Sequence, residues 1–174
     1  MRRTSRARCL ASLCAMLVSA VALDAQKPER SQEVLVPGIG VALKAGWQLL
    51  MEHGCRFAVP RSWQAAADGR GAFSPDGNSL SVTELKITSW SAHKAQIKAA
   101  FGHLRAVHED SDRRLWFEFV DNHRLEHYID VANGSDACVG LLQIRAAATL
   151  NQDDADRIAD SIGPAPDRWP PDPR

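Results

Sequence analysis

The sequence of 174 residues lacks an excess of charge of either sign and has few long hydrophobic runs. Lys and Arg number 21, and Asp and Glu also number 21, so there is no basic surplus of the kind that marks nucleic-acid-binding proteins. Only residues 9–23 form a strongly apolar run, and this run is shorter than the roughly 20 residues that a membrane-spanning helix needs. The sequence therefore predicts no nucleic-acid partner and no integral membrane segment after signal cleavage.

The apolar run lies within residues 1–25, which have the composition of a secretory signal peptide. Four arginines precede it, and the small residues Ala22 and Ala25 lie at its end; this order of basic, apolar and small residues is typical of signal peptides. Cleavage after Ala25 removes four basic residues and one acidic residue, which leaves 17 basic against 20 acidic and a formal charge of −3. We therefore expect a secreted or periplasmic protein.

Cysteine is also scarce, and its distribution predicts a disulfide. Cys9 and Cys14 lie in the signal peptide, so only Cys55 and Cys138 remain after cleavage. In an oxidising compartment an isolated pair is most simply a disulfide. A redox-active dithiol is the alternative, but such pairs usually lie close together, as in C-x-x-C.

The composition divides the chain into four regions. Residues 1–25 are the expected signal peptide, 26–40 a flexible polar arm with a short strand at 33–36, 41–163 a single α+β domain, and 164–174 a proline-rich tail. The 149 residues that remain after cleavage (174 minus 25) suit one domain with its own core.

Alternating apolar residues predict two β-hairpins near the start of the domain. Residues 47–51 and 55–59 alternate on either side of a His53-Gly54 turn, which is the period of a strand. A helix over residues 41–51 is the alternative, although Gly46 disfavours it. The sequence PDGN at 75–78 supplies the turn of the second hairpin.

Two helices and three further strands are predicted after the hairpins. Residues 92–104 are good helix formers with an apolar stripe, and Ser91 is the expected N-cap. Residues 107–145 are predicted to form three consecutive strands, of which 137–145 is apolar on both faces and therefore central. The stretch NQDDADRIADSI predicts a second helix that ends before Gly163-Pro164.

One motif with a known chemistry is present: His123, Glu126 and His127 follow the order H-x-x-E-H used by some zinc peptidases. On a helix the two histidines would lie about 6 Å apart along the axis, but on a strand about 13 Å apart. The alternation around the motif and the turn residues Asp121 and Asn122 favour a hairpin. We therefore predict no bound metal, no cofactor and no catalytic residue, with His123 in the turn and His127 on a strand beside a local partner.

Two short stretches, FAVPRSW at 57–63 and FSPDG at 73–77, precede a helix, a strand meander and a C-terminal helix. In this order of elements the sequence resembles the PsbP-like superfamily, including small bacterial envelope proteins of the DcrB type. The resemblance covers residues 47–162. It implies an α/β/α sandwich, in which an antiparallel sheet packs against two helices, and an accessory or interaction role without catalysis.

The leading functional prediction is therefore an exported, non-enzymatic interaction or accessory module that binds an unknown protein of the cell envelope. Trp90 and Trp169 are candidates for its contact surface, although they are explained more simply by packing at the helix start and the core edge. One alternative is a metal-dependent hydrolase that uses His123, Glu126 and His127, with Glu126 as general base. Another is a carrier of a small apolar ligand, which requires a cavity between sheet and helix. The sequence does not predict an oligomeric state.

Overall fold

The architecture is α+β, with strands that are antiparallel throughout. In the computed structural model the described residues are 33–36, 41–145 and 150–166. The expected signal peptide and Trp169 lie outside them. The strands are β1 Glu33–Val36, β2 Val41–Lys44, β3 Trp47–Glu52, β4 Cys55–Pro60, β5 Gln64–Ala65, β6 Gly71–Phe73, β7 Ser79–Lys86, β8 Ala106–Asp110, β9 Arg114–Asp121, β10 Arg124–Asn133, β11 Asp136–Ile144 and β12 Gly163–Pro164; the helices are α1 Trp90–Ala100 and α2 Gln152–Ser161.

A seven-stranded sheet in the order β5-β6-β7-β11-β10-β9-β8 forms the centre of the fold. A three-stranded sheet, β12-β4-β3, and a two-stranded sheet, β1-β2, accompany it. The predicted central strand is confirmed, because β11 pairs with β10 on one side and with β7 on the other. The predicted short strand at Glu33–Val36 is also confirmed.

Each face of the central sheet has its own hydrophobic core. On one face, which we call the α2 face, side chains of β4, β7, β10 and β11 pack with Ala155, Ile158 and Ala159 of α2. On the other, the α1 face, Leu115, Phe117, Phe119 and Tyr128 pack with half-buried residues of α1 and its C-terminal end. Helices on opposite faces of an antiparallel sheet are the predicted α/β/α layering, which is therefore confirmed.

The predicted hairpins form at the turns that the sequence indicates. Strands β3 and β4 meet at His53 and Gly54, which both have positive φ, so the helix considered for residues 41–51 is wrong. Strands β6 and β7 also pair across the predicted PDGN turn. Gly and short polar residues tolerate such turn geometry at low cost.

The first helix differs from its prediction at both ends. Its N-cap is Ser89, whose hydroxyl accepts a hydrogen bond from the Ala92 amide at 3.3 Å, and not Ser91. The helix ends at Ala100, because Phe101 has non-helical backbone angles (φ −100°, ψ 72°). Phe101 still packs on the α1 face, as the apolar stripe requires.

The predicted three-strand meander has a fourth strand, β8, which pairs with β9 at the edge of the sheet. Its sequence AVHED has no apolar alternation, and a register irregularity separates Val107 from Glu109. An edge strand needs fewer apolar side chains than a central one, so β8 leaves little trace in the hydrophobic pattern.

The predicted disulfide is confirmed between Cys55 on β4 and Cys138 on β11, with Cα atoms 5.7 Å apart. Both cysteines are fully buried. Because β4 belongs to the small sheet and β11 to the central one, the disulfide links the two sheets inside the α2-face core. A buried disulfide fits an extracytoplasmic location.

Candidate functional site

The H-x-x-E-H stretch lies on a hairpin, as predicted, and its three side chains do not converge. His123 occupies the turn between β9 and β10, where Asn122 and His123 have φ of 47° and 64°; two successive positive φ angles are typical of tight hairpin turns. Glu126 and His127 are neighbours on β10 and therefore point to opposite faces of the sheet. A hydrolase site built from these three residues is not assembled by this strand.

His127 instead lies beside two residues of the neighbouring strands. Cross-strand pairing places it opposite Glu118 of β9, while Glu118 in turn lies opposite Ala106 of β8. The imidazole of His108, also on β8, comes within 2.8 Å of Glu118 Oε1 through its Nε2. His127 Nε2 lies 4.0 Å from the same oxygen. We call these residues the His-Glu-His cluster.

His127 is the most deeply buried member of the cluster, with no exposed surface. Burial lowers the pKa of this imidazole, which favours the neutral ring. Its Nδ1 accepts a long hydrogen bond from the indole N–H of Trp116 at 3.4 Å, so Trp116 is the local partner that the sequence predicted. Its Nε2 has no hydrogen-bond partner among the described residues.

The other two members connect the cluster to solvent. The His108 side chain is 26% exposed and stacks on Trp116 at a centroid distance of 4.2 Å. Glu118 is 7% exposed, and its second carboxylate oxygen, Oε2, lies 3.9 Å from Arg105 Nε. Two imidazoles and one carboxylate are therefore held together at the rim of the α2 face.

A second feature lies on the α1 face, where a cleft opens beside the C-terminal end of α1. We call it the α1 cleft; its volume is about 530 Å³, within the usual size of ligand pockets. Val139 and Leu141, two apolar residues of its wall, are half-buried. The lining residues are Phe101, Gly102, His103, Phe119, Val120, Asp121, Glu126, Tyr128, Val139 and Leu141.

Helix α1 contacts this face through polar groups as well as through the half-buried side chains of Trp90 and Ile97. The helix contains no buried residue. His93 Nε2 lies 2.6 Å from Asp130 Oδ2, and Lys94 and Lys98 both bind the Asp110 carboxylate. Trp90, which the sequence marked as a candidate contact residue, donates its indole N–H to the Ser111 carbonyl and packs on the α1-face core.

The α1 face also contains two buried carboxyl groups. Glu126 accepts a hydrogen bond from Gln143 at 2.9 Å, and burial raises its pKa. Asp130 is fully buried; burial raises its pKa too, although His93 and Tyr128 both bind its Oδ2. Glu126, the general base of the alternative hydrolase, thus lies in the wall of the α1 cleft with its pKa raised by burial.

Comparison with known proteins gives no family assignment from sequence: no family model and no curated protein matches the chain. Several solved structures are similar, and two of them illustrate the likeness. One is the solution structure of cyanobacterial PsbP (CyanoP) from Synechocystis, with 15% identity, a TM-score of 0.43, and coverage of 75% of this chain and 97% of that chain. The other is the crystal structure of LpqN, involved in cell envelope biogenesis of Mycobacterium tuberculosis, with 14% identity, a TM-score of 0.32, and coverage of 71% and 81%.

One of these structures is a PsbP protein. The sequence of the present chain resembles the superfamily that is named after PsbP. Among the residues that the structure describes, no helix is long and apolar enough to cross a membrane.

The buried Asp130 carboxyl on the α1 face should make the stability of the protein depend on pH. Its pKa is raised above 3.8 in the folded chain, so its contribution to stability is fully present below pH 3.8 and is lost as pH rises through its folded-state pKa. We expect the wild type to lose free energy of unfolding relative to Asp130→Asn over this range, by about 1.4 kcal/mol for each pH unit by which the pKa is raised.

Urea unfolding of both proteins from acid to neutral pH measures this difference. Asp112→Asn, at an exposed position, controls for the change in net charge. A constant difference between the wild type and Asp130→Asn across the range would contradict a raised pKa.

Proposed function

We propose that this protein is an exported, non-enzymatic accessory module that binds a protein partner of the cell envelope through the α1 cleft. The observation on which this proposal rests is the cleft itself. Phe119, Val139 and Leu141 give it apolar walls, and binding surfaces commonly combine such walls with a few polar groups. Asp121 and His103 provide polar groups at the same place.

Export is supported by two independent features. The buried disulfide between Cys55 and Cys138 requires an oxidising compartment to form and persist. The basic and apolar composition of residues 1–25 is that of a secretory signal peptide.

The smaller burial of α1 compared with α2 supports a binding role for the face that α1 covers. A helix without buried residues can move at low cost compared with one that fills a core. Movement of α1 would widen the cleft next to Phe101 without disturbing α2, which packs on the opposite face.

Site-specific photocrosslinking in intact host cells tests the proposal. A photoreactive amino acid at the exposed position His103 is expected to yield a discrete product with another envelope protein, recovered from the extracytoplasmic fraction. Val139→Lys places a charge in the apolar wall of the cleft and is expected to reduce that product at least about tenfold, since burying an unpaired charge is costly. Leu85→Lys, at an exposed apolar position, is the matched control.

Retention of the product in Leu85→Lys together with its loss in Val139→Lys would support the cleft as the binding site. Equal yields in both variants would place the partner elsewhere. An absence of any protein product would exclude this proposal and favour the carrier of a small apolar ligand, which the cleft volume also suits.

A further inference from the structure

The His-Glu-His cluster contains a buried nitrogen that the fold leaves without a partner. His127 Nε2 makes no hydrogen bond among the described residues, although the side chain is fully buried. Such an atom costs about 1 to 3 kcal/mol relative to one that is satisfied. It lies 4.0 Å from Glu118 Oε1, and the Nε2 atom of His108 approaches that oxygen from another direction.

We propose that His108, Glu118 and His127 bind a divalent transition-metal ion of the zinc type. Two imidazoles and a carboxylate are one of the three-ligand sets that zinc uses when a fourth position stays open. The three ligand atoms lie within 4.8 Å of one another. Ligands at about 2.0 to 2.2 Å from one zinc ion are separated by roughly 3 to 4 Å, so small side-chain adjustments would complete the site.

The surrounding charges suit a cation. Glu118 supplies one negative charge, and Asp156 of α2 lies near enough to act electrostatically on His127. Arg105 is the opposing charge, but it lies next to Oε2 of Glu118 and leaves Oε1 for the ion. The partly exposed His108 gives an ion access from solvent.

An ordinary ion pair between His108 and Glu118 is the simpler explanation for those two residues. It leaves His127 unexplained, because the nearest carboxylate oxygen is beyond hydrogen-bond distance from Nε2. A metal ion at the centre of the cluster would satisfy all three side chains together.

The indole of Trp116 leads to a prediction that distinguishes a metal site from simple packing. Its N–H donates to His127 Nδ1, so the proton of the neutral imidazole resides on Nε2. A metal at Nε2 requires that proton to move to Nδ1, where it would face the Trp116 N–H. Trp116→Phe removes this competing donor and is therefore expected to tighten metal binding, whereas loss of a residue with only a packing role would not.

The experiment uses the full mature chain without a purification tag, stripped of metal and titrated with Co²⁺ and then with Zn²⁺. We expect one Co²⁺ per chain with the visible absorption of a nitrogen- and oxygen-ligated ion, and displacement by Zn²⁺. His108→Ala is expected to weaken binding at least about tenfold, since even partners outside the ligand set contribute that much. His123→Ala, also an exposed histidine, is the matched control and is expected to bind as the wild type does.

Loss of binding in His108→Ala with retention in His123→Ala supports the site. No stoichiometric binding by the wild type, or loss of binding in His123→Ala alone, overturns it. Circular dichroism shows whether each variant is folded; if Trp116→Phe is not, the two histidine variants decide the question. The cluster lies on the α2 face, so either result is independent of partner binding in the α1 cleft.

Discussion

Replacing Cys55 and Cys138 together by alanine is expected to lower the free energy of unfolding by about 4 to 5 kcal/mol. The disulfide closes a loop with a sequence separation of 83, and a long closed loop strongly restricts the unfolded chain. Because domains of this size are stable by only about 5 to 15 kcal/mol, the double variant should lie close to its unfolding limit.

Guanidinium unfolding of the oxidised wild type and of the double variant measures this contribution. The wild type with added reductant is the control, and its midpoint should move toward that of the variant. A loss of less than about 1 kcal/mol would show that the linkage restricts the unfolded chain far less than its loop length implies.

A single methyl group at Gly71 should have the second-largest effect. Gly71 lies at the start of β6 with φ of +141°, and a Cβ atom there would be 1.8 Å from the Leu80 carbonyl oxygen. This neighbour is backbone of the paired strand β7, so it cannot turn away as a side chain would. We expect Gly71→Ala to destabilise the fold by about 3 kcal/mol or more, through strain and loss of strand pairing.

Gly46→Ala is the matched control for this substitution. Gly46 also has a positive φ, of +80°, but a Cβ atom there would meet nothing within 4 Å. Gly46→Ala should therefore lower the free energy of unfolding only by the cost of a left-handed backbone conformation in a residue with a Cβ atom, about 1 to 2 kcal/mol. Equal losses in the two variants, measured by urea unfolding, would contradict a steric clash at Gly71.

The parts of the fold that sequence predicted well are those with local chemical signals. The turns at His53-Gly54 and PDGN depend on residues that accept positive φ or preset a corner, and both hairpins follow. The second helix is equally local, since the stretch NQDDADRIADSI is followed directly by its own stop signal, Gly163-Pro164. The disulfide followed from compartment and count alone, because only two cysteines remain after residue 25.

The parts that sequence missed depend on tertiary pairing. Strand β8 has only Ala106 and Val107 as apolar residues. It is a strand because it forms backbone hydrogen bonds with the edge strand β9, and its own sequence does not signal this pairing. The N-cap of α1 is Ser89 and not the expected Ser91, because either serine is chemically suitable as a cap. Packing of Trp90 and Ile97 on the sheet decides between them.

The candidate metal site shows the same distinction. The linear motif directed attention to His123 and Glu126, whereas the structure groups His127 with Glu118 and His108. That grouping needs the registers of two strand pairs, β9 with β10 and β8 with β9. One signal was available: Glu118 interrupts an otherwise apolar strand, RLWFEFVD, and a buried carboxylate requires a nearby cation or donor.

The unequal burial of the two helices implies two levels of cooperativity in one chain. The α2 face contains the disulfide, three tryptophans and the fully buried side of α2, so it should open only when the whole protein unfolds. Helix α1 has no buried residue, so we expect it to open at a lower free energy than the α2 face does. We therefore expect one surface of the molecule to rearrange while the core on the opposite face stays closed.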